Sequence, residues 1–343
     1  MKKLLNTLYI TAQGTYLSKD GECVLVRGED GASRRFPLHV LAGIVCFGNV
    51  LCSPFLLGHC AEQGLAVSFL TEHGRFLAMV RGPQQGNVRL RKAQYRQADD
   101  AAGVAGGARA VLAGKVANTR TVLRRCLRDH GERVDAARVG QALQVLEACA
   151  QELRRPLGLD QARGMEGQAA SAYFGVFDCL ILQNREEFPF AGRNRRPPLD
   201  AVNCLLSFVY TLLAHDVRSA LEGVGLDPQV GFLHRDRPGR PGLALDMMEE
   251  FRAVVADRLV LSLINRGEVR GRDFVRKESG AVLMDDDARK RVLTAWQKRK
   301  QQEVTHPFLN QSLPLGLVFH IQAQLLARYL RGDLDGYPPF FWK

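Results

Sequence analysis

This chain has no run of about 18 apolar residues, the length a membrane-spanning helix requires, so such a helix is excluded. Its opening residues, MKKLLNTLYITAQGTYLSKD, carry two lysines but turn polar too early for a secretory signal, and a cytoplasmic protein is expected. The cysteines at 23, 46, 52, 60, 126, 149, 179 and 204 include no CxxC pair and lie mostly among apolar residues. Reduced core thiols are expected, and a structural zinc site is not. Negative charge is the scarcer sign: 36 Asp and Glu stand against 47 Lys and Arg, leaving a net charge of +11. An excess of that size attracts polyanions and speeds encounter with them, which makes nucleic acid the leading partner class. A membrane surface would also attract it, but the basic residues fall in loops or on a helix without a lipid-facing apolar stripe, so no membrane partner is expected.

What is present suffices for a sizeable core: 343 residues, 46% of them apolar, predict two domains. The expected fold class is α+β, a small N-terminal β domain followed by a larger all-α C-terminal catalytic domain. Residues 1–82 read as short strands separated by turns, from LLNTLYIT to RFLAMV, with one helix where Ser53 caps, Pro54 opens and Gly64 closes. TEHG at 71–74 reads as a hairpin loop, and His39, His59 and His73 are scattered without forming a catalytic set. Residues 83–88 read as a linker and 89–343 as the helical domain. Within it AAGVAGGARA at 101–110 predicts a helix break, and a loop leads into a helix from about Leu159.

The chemistry concentrates in GFLHRDRPGRPGLALDMMEEFR, residues 231–252. After Pro241 and Gly242 a helical apolar arc begins, and on its other side Asp246 and Glu249 lie about 60° apart at roughly 100° per residue. Two like charges on one face call for a cation, and His234 in the preceding loop offers an imidazole; oxygen ligands with one nitrogen suit Mg²⁺ or Mn²⁺. The alternative for this segment is a solvated acidic face in which Asp246, Glu249 and Glu250 pair with Arg252 or Arg258. Glu166 shares a helix face with Ala169, Ala170, Tyr173 and Phe177, so its carboxylate must neutralise, pair with Arg163, or bind a metal. In the apolar helix after Asn194, the polar residues Asn203, Ser207 and Tyr210 fall on one face; they either are tolerated in a core helix or orient the carboxylates. Arginine clusters at Arg193, Arg195 and Arg196, at Arg235, Arg237 and Arg240, and with lysine at Arg289, Lys290 and Arg291, give the expected phosphate contacts.

RGMEGQAASAYF, NRRPPLDAVNCLLSFVYTLL and GFLHRDRPGRPGLALDMMEEFR, in that order and spacing, resemble the three signature blocks of the CRISPR-associated integrase, the nuclease that inserts new spacers into CRISPR arrays. The resemblance extends over most of the chain and looks closest to the type I-C branch. By motif position it implies Glu166, His234 and Glu249 as the catalytic metal ligands, with Asp246 left between a direct ligand and a supporting role. It implies Mg²⁺ or Mn²⁺, a homodimer formed partly through the β domains, and two such dimers flanking a dimer of a small CRISPR-associated partner protein, a heterohexamer on double-stranded DNA. The implied reaction is transesterification by a DNA 3′-hydroxyl, with prespacer and CRISPR repeat as substrates. Where the family usually reads DPVN, this chain has Asp200, Ala201, Val202 and Asn203, which puts the local turn in question. Two other readings use the same residues: a structure-selective nuclease acting by hydrolysis, and a non-catalytic basic DNA-binding protein whose Glu166 and Glu249 only form salt bridges.

Overall fold

A computed structural model describes residues 6–72, 76–80, 82 and 88–342. The tip of the expected hairpin at 71–74 lies partly outside them, and of the expected linker 83–88 only Val88 is described, where it already opens a helix.

Eight strands and one helix follow in order: β1 Asn6–Ile10, β2 Tyr16–Asp20, β3 Cys23–Arg27, β4 Ser33–Pro37, β5 Leu41–Phe47, β6 Leu51–Cys52, α1 Pro54–Glu62, β7 Ala66–Leu70 and β8 Phe76–Val80. They form two sheets of four, ordered β1-β5-β7-β8 and β4-β3-β2-β6. Parallel pairing of β1 with β5 and β5 with β7 needs crossovers, and α1 supplies the second of them. Its start is the one its sequence predicts: Ser53 Oγ accepts from Leu56 N at 3.2 Å and Pro54 takes the first position, where a missing N–H costs nothing. Leu17, Val24, Ile44, Leu56 and Val67 from both sheets and α1 close one core.

The helical unit continues with α2 Val88–Asp99, α3 Ala101–His130, α4 Ala136–Glu152, α5 Leu159–Phe174, α6 Ala201–Gly223, α7 Gly242–Phe251 and α8 Arg258–Asn265. The hairpin β9 Phe274–Arg276 with β10 Val282–Met284, helix α9 Asp286–Lys300, the hairpin β11 Glu303–His306 with β12 Gln311–Pro314, and α10 Leu315–Leu330 complete the chain. The C-terminal part is therefore mainly helical with two small β ribbons. By contacts the molecule divides into residues 1–85 with 286–301, and residues 86–285 with 302–343. Helix α9 thus belongs with the strands, where Gln297 Nε2 donates to Thr7 O at 2.9 Å.

The predicted break at 101–110 is absent: α3 runs unbroken for 30 residues. The interruption comes just before it, at Asp100, whose carboxylate accepts from Gly103 N at 2.7 Å. Two glycines inside α3 serve packing, since a Cβ on Gly107 would stand 3.1 Å from the Phe232 ring and one on Gly114 would stand 3.1 Å from Glu250 Cγ. Helix α3 packs against α4, α5 and α7, which places it beside the two helices that carry Glu166, Asp246, Glu249 and Glu250.

Candidate metal centre

Helix α7 buries the residues that its sequence also allowed to face water. Asp246, Glu249 and Glu250 are 0%, 2% and 0% exposed, so the solvated acidic face is corrected. A helix carrying three buried carboxylates needs a separate answer for each one.

Asp246 answers to the loop before the helix. Its Oδ2 accepts from the backbone N–H of Phe232 at 2.5 Å and Leu233 at 2.8 Å, and its Oδ1 accepts from His234 N at 3.0 Å. The same Oδ1 lies 2.6 Å from His234 Nδ1. A Cβ on Gly231 would come within 2.5 Å of Asp246 Oδ2, so only glycine lets the loop close this tightly. Arg163 fastens the loop from α5, donating from Nε to Leu233 O at 2.9 Å. With Nδ1 engaged by the carboxylate, Nε2 is the imidazole nitrogen left to face a ligand.

Glu249 faces two cations. Arg252 Nη1 stands 3.0 Å from Oε1, and Lys115 Nζ, from the middle of α3, stands 2.8 Å from Oε2. Burial alone would push this carboxyl up, but Arg252, Lys115 and the nearby His234 outweigh it and hold it at about 2. Lys115 also forms a short ion pair with Glu166 Oε1. Glu166, on α5, therefore does not take Arg163, which turns instead to Asp160 at 3.1 Å and to the loop. Two carboxylates more than eighty residues apart thus converge on one ammonium. Arg252 is one of the two arginines the sequence offers as a partner for this acidic face, and it takes Glu249; Lys115 is not singled out by the sequence reading. A lysine inside the apolar run AVLAGKVANTRTVL was the available signal, because such a residue is rarely buried unless paired.

Glu250 points away from the others, into the C-terminal segment: Phe340 N donates at 2.7 Å, Tyr337 Oη at 2.6 Å and Gln322 Nε2 at 3.1 Å. Burial raises it to about 7 against those three bonds.

The polar face of α6 works through arginines. Asn203 Oδ1 and Ser207 Oγ accept from Arg193 at 2.7 and 3.1 Å. Tyr210 donates to Asp257 Oδ1 at 2.6 Å, and the Arg252 guanidinium lies over its ring at 4.7 Å. Of the three residues expected to orient the carboxylates, Tyr210 reaches Glu249 through one intermediate, Arg252, while Asn203 and Ser207 fix Arg193. The departure from Pro at position 201 leaves the turn intact, because Asp200 caps α6 and accepts from Asn203 N at 2.7 Å. After α7 the backbone widens into a π-helical turn, Arg252–Asp257, which lets both Arg252 and Asp257 face inward.

Asp257 is raised from its ordinary 3.8 to about 6 by burial, against hydrogen bonds from Tyr210 and Tyr173. Between those values the folded state binds the more protons, so this group's contribution, complete below about 4, is lost as pH rises through 6. We expect Asp257→Asn to remove a pH-dependent stability difference of up to about 3 kcal/mol over that window. Urea midpoints of variant and parent at pH 4.5 and 6.5 check this; parallel curves would contradict it.

The arginine clusters divide. Arg235 and Arg237 are exposed beside His234, Arg235 standing 3.8 Å from Asp160. The Arg240 guanidinium is shifted down by partial burial and, less, by the charges of Arg237, Arg195 and Arg196. Arg195 also lines a small cavity with Glu166, Lys115, Tyr210 and Arg252. The set on α9 is different. Arg289 is 2% exposed and bound to Asp286 at 2.6 Å, so it is a structural residue and not an open phosphate contact. Lys290 is exposed beside Asp287 at 3.4 Å, and Arg291 is exposed with an interaction of its own.

Among the described residues, no three His, Cys, Asp or Glu side chains already close on one point. The donor chemistry nevertheless fits a divalent ion: Glu249 is held ionised, Glu166 shares its cation, and His234 acts on the same charge from an anchored ring. The model of the CRISPR associated protein Cas1 family matches residues 8–298. This chain belongs to the Cas1 family. It is 59% identical over 343 residues to the CRISPR-associated endonuclease Cas1 1 of Chlorobaculum tepidum, covering 100% of both chains. It shares the fold of a casposase bound to integration product, with a TM-score of 0.85 at 22% identity, covering 99% of this chain and 95% of that one. A chain of a Cas6-RT-Cas1–Cas2 complex matches with a TM-score of 0.83 at 22% identity, covering 100% of this chain and 36% of that one. The Cas1 family fold thus places an N-terminal β-rich region before the mainly helical one. Among the described residues no helix is long and apolar enough to cross a membrane.

Proposed function

We propose that this Cas1 protein is a divalent-metal-dependent endonuclease and integrase of CRISPR adaptation, joining the 3′-hydroxyl ends of prespacer DNA to the CRISPR repeat. The coarse activity is supported by a relative identical at 59% of positions over both full lengths and named as a CRISPR-associated endonuclease. The observation that carries the finer reading is the convergence of Glu166 and Glu249 on a single cation beside an anchored imidazole.

Glu166, His234 Nε2 and Glu249 would hold Mg²⁺ or Mn²⁺. Such an ion supplies Lewis acidity to the phosphate under attack and stabilises the charge that develops there. Asp246 is assigned as the residue that orients His234 and not as a ligand, because both its oxygens are already engaged by four groups of the 232–234 loop. Arg252 keeps Glu249 ionised and aimed. Arg195, Arg196, Arg235, Arg237 and Arg240 form the phosphate-binding rim, where planar guanidinium forks align the backbone for in-line attack. In the reaction the 3′ oxygen forms a new P–O bond as the bridging P–O bond of the target breaks. The hydroxyl proton leaves to solvent, and the departing oxygen takes one up.

Double-stranded DNA, a second copy of the chain and a dimer of a small partner protein, together a heterohexamer, complete the proposed assembly. The fold shared with a chain solved in a Cas1–Cas2 complex supports that arrangement. The test uses the purified protein with partner, a labelled duplex bearing 3′-hydroxyl ends, a repeat-containing target and Mn²⁺. Branched, covalently joined product is expected. Cleavage of the target without joined product would replace transfer with hydrolysis, in which water attacks at the same site.

A further inference from the structure

One group of the site has no place in the ligand set, and it is the one that both carboxylates hold. Lys115 sits on the long helix α3 with its side chain 11% exposed, and its ammonium touches Glu166 and Glu249 at once. Arg252 already satisfies Oε1 of Glu249, so Lys115 takes the remaining oxygen. Two acidic groups brought this close would repel, and a buried carboxylate without a cation costs several kcal/mol. The ammonium removes both penalties.

We propose that Lys115 is a resident counter-cation: it stands in for the divalent ion between Glu166 and Glu249, and must withdraw from both oxygens when the ion binds. This rests on the metal reading of the same site. A divalent ion binds carboxylate oxygens at about 2.0–2.2 Å, through the lone pairs the ammonium uses, and its charge repels the ammonium at that range. Lys115 is suited to the exchange by its type. An ammonium on a flexible four-carbon stem can turn away as a point charge, whereas a guanidinium fork is committed to a plane.

Two consequences follow. Lys115 weakens apparent metal affinity, because the ion must displace it. It also couples metal to DNA, because the ammonium released from the carboxylates finds a new anion in a nearby phosphate, so each ligand favours the other. The cavity that Lys115 lines also contains Arg195, one of the rim arginines, which places the departing ammonium on the side where phosphate is expected.

The test is Mn²⁺ binding, measured by the free-ion electron paramagnetic resonance signal, on Lys115→Met and Lys115→Gln, with and without duplex DNA carrying 3′-hydroxyl ends. Without DNA, both variants are expected to bind Mn²⁺ about tenfold more tightly than the parent. DNA should tighten binding to the parent and leave the variants nearly unchanged. Thermal melting gives a second reading: the metal-free variants melt lower than the parent, and saturating Mn²⁺ raises their midpoints by more. Mn²⁺ affinity in the variants equal to or below that of the parent overturns the proposal while leaving the metal site standing. No Mn²⁺ binding in the parent or in either variant overturns the metal reading and this inference together.

Discussion

Alanine in place of Glu166 or His234 should reduce strand transfer by about 10³-fold, the equivalent of the several kcal/mol that a Lewis-acid ion supplies at phosphate, while the protein stays folded. Glu166 is a third exposed and ends on a neighbouring lysine, so its loss leaves no buried hole. Glu249→Ala should be as inactive but not as benign. Its carboxylate is 2% exposed between Arg252 and Lys115, and removing one partner of a buried ion group costs about 3–5 kcal/mol by stranding the others. Single-turnover joining of labelled DNA, read beside a urea titration of each variant, separates the two effects. Near-parental joining by the Glu166 or Glu249 variant would dismiss the metal assignment. A Glu249→Ala protein as stable as the parent would dismiss the claim that this carboxylate anchors Lys115 and Arg252.

The second large effect concerns Asp246. Substitution by asparagine keeps the shape but places an N–H₂ group where four donors now converge. At least one of those contacts becomes donor against donor, the His234 ring loses its anchor, and the loop 231–240 with its arginines is released. Loss of a carboxylate behind a ligating histidine commonly costs about 10–100-fold in metal affinity. A comparable fall in Mn²⁺ affinity is therefore expected for Asp246→Asn, with a larger fall in strand transfer because Arg235, Arg237 and Arg240 move with the loop. Unchanged Mn²⁺ affinity would mean that His234 needs no support from Asp246. Affinity falling as far as in His234→Ala, with the loop still ordered by hydrogen exchange, would make Asp246 a ligand after all.

Local chemistry was legible wherever neighbours in sequence decide it. The Ser53–Pro54 start of α1 and the helical periodicity of α5 and α7 depend on a few adjacent residues, and the structure shows each. The pairing of carboxylates was not legible, because spacing on a helix tells which residues share a face and not what covers it. Lys115 reaches Glu249 across 134 positions, and Asn118 reaches Glu250 O across 132. Neither contact leaves a trace in periodicity. The glycines of 101–110 misled for the same reason: an isolated helix would break there, but Phe232 occupies the space that a side chain on Gly107 would need. Likewise Arg289 looks like a phosphate contact in a run of basic residues, and its burial against Asp286 follows only from α9 packing with the strands of the first unit. Of the three motif blocks, the first carries Arg163 and the third carries His234 and Asp246, and the structure brings these together in one cradle.

Anomalous diffraction at the manganese edge, from crystals of the protein grown with Mn²⁺ and a DNA end, tests the central claim most directly. One strong peak per active subunit is expected, bonded at about 2.1–2.2 Å to a carboxylate oxygen of Glu166, to Nε2 of His234 and to a carboxylate oxygen of Glu249, with Asp246 still on Nδ1. A peak held by other residues, or saturating Mn²⁺ with Glu166 and Glu249 still closed on Lys115 and no ion between them, would contradict it.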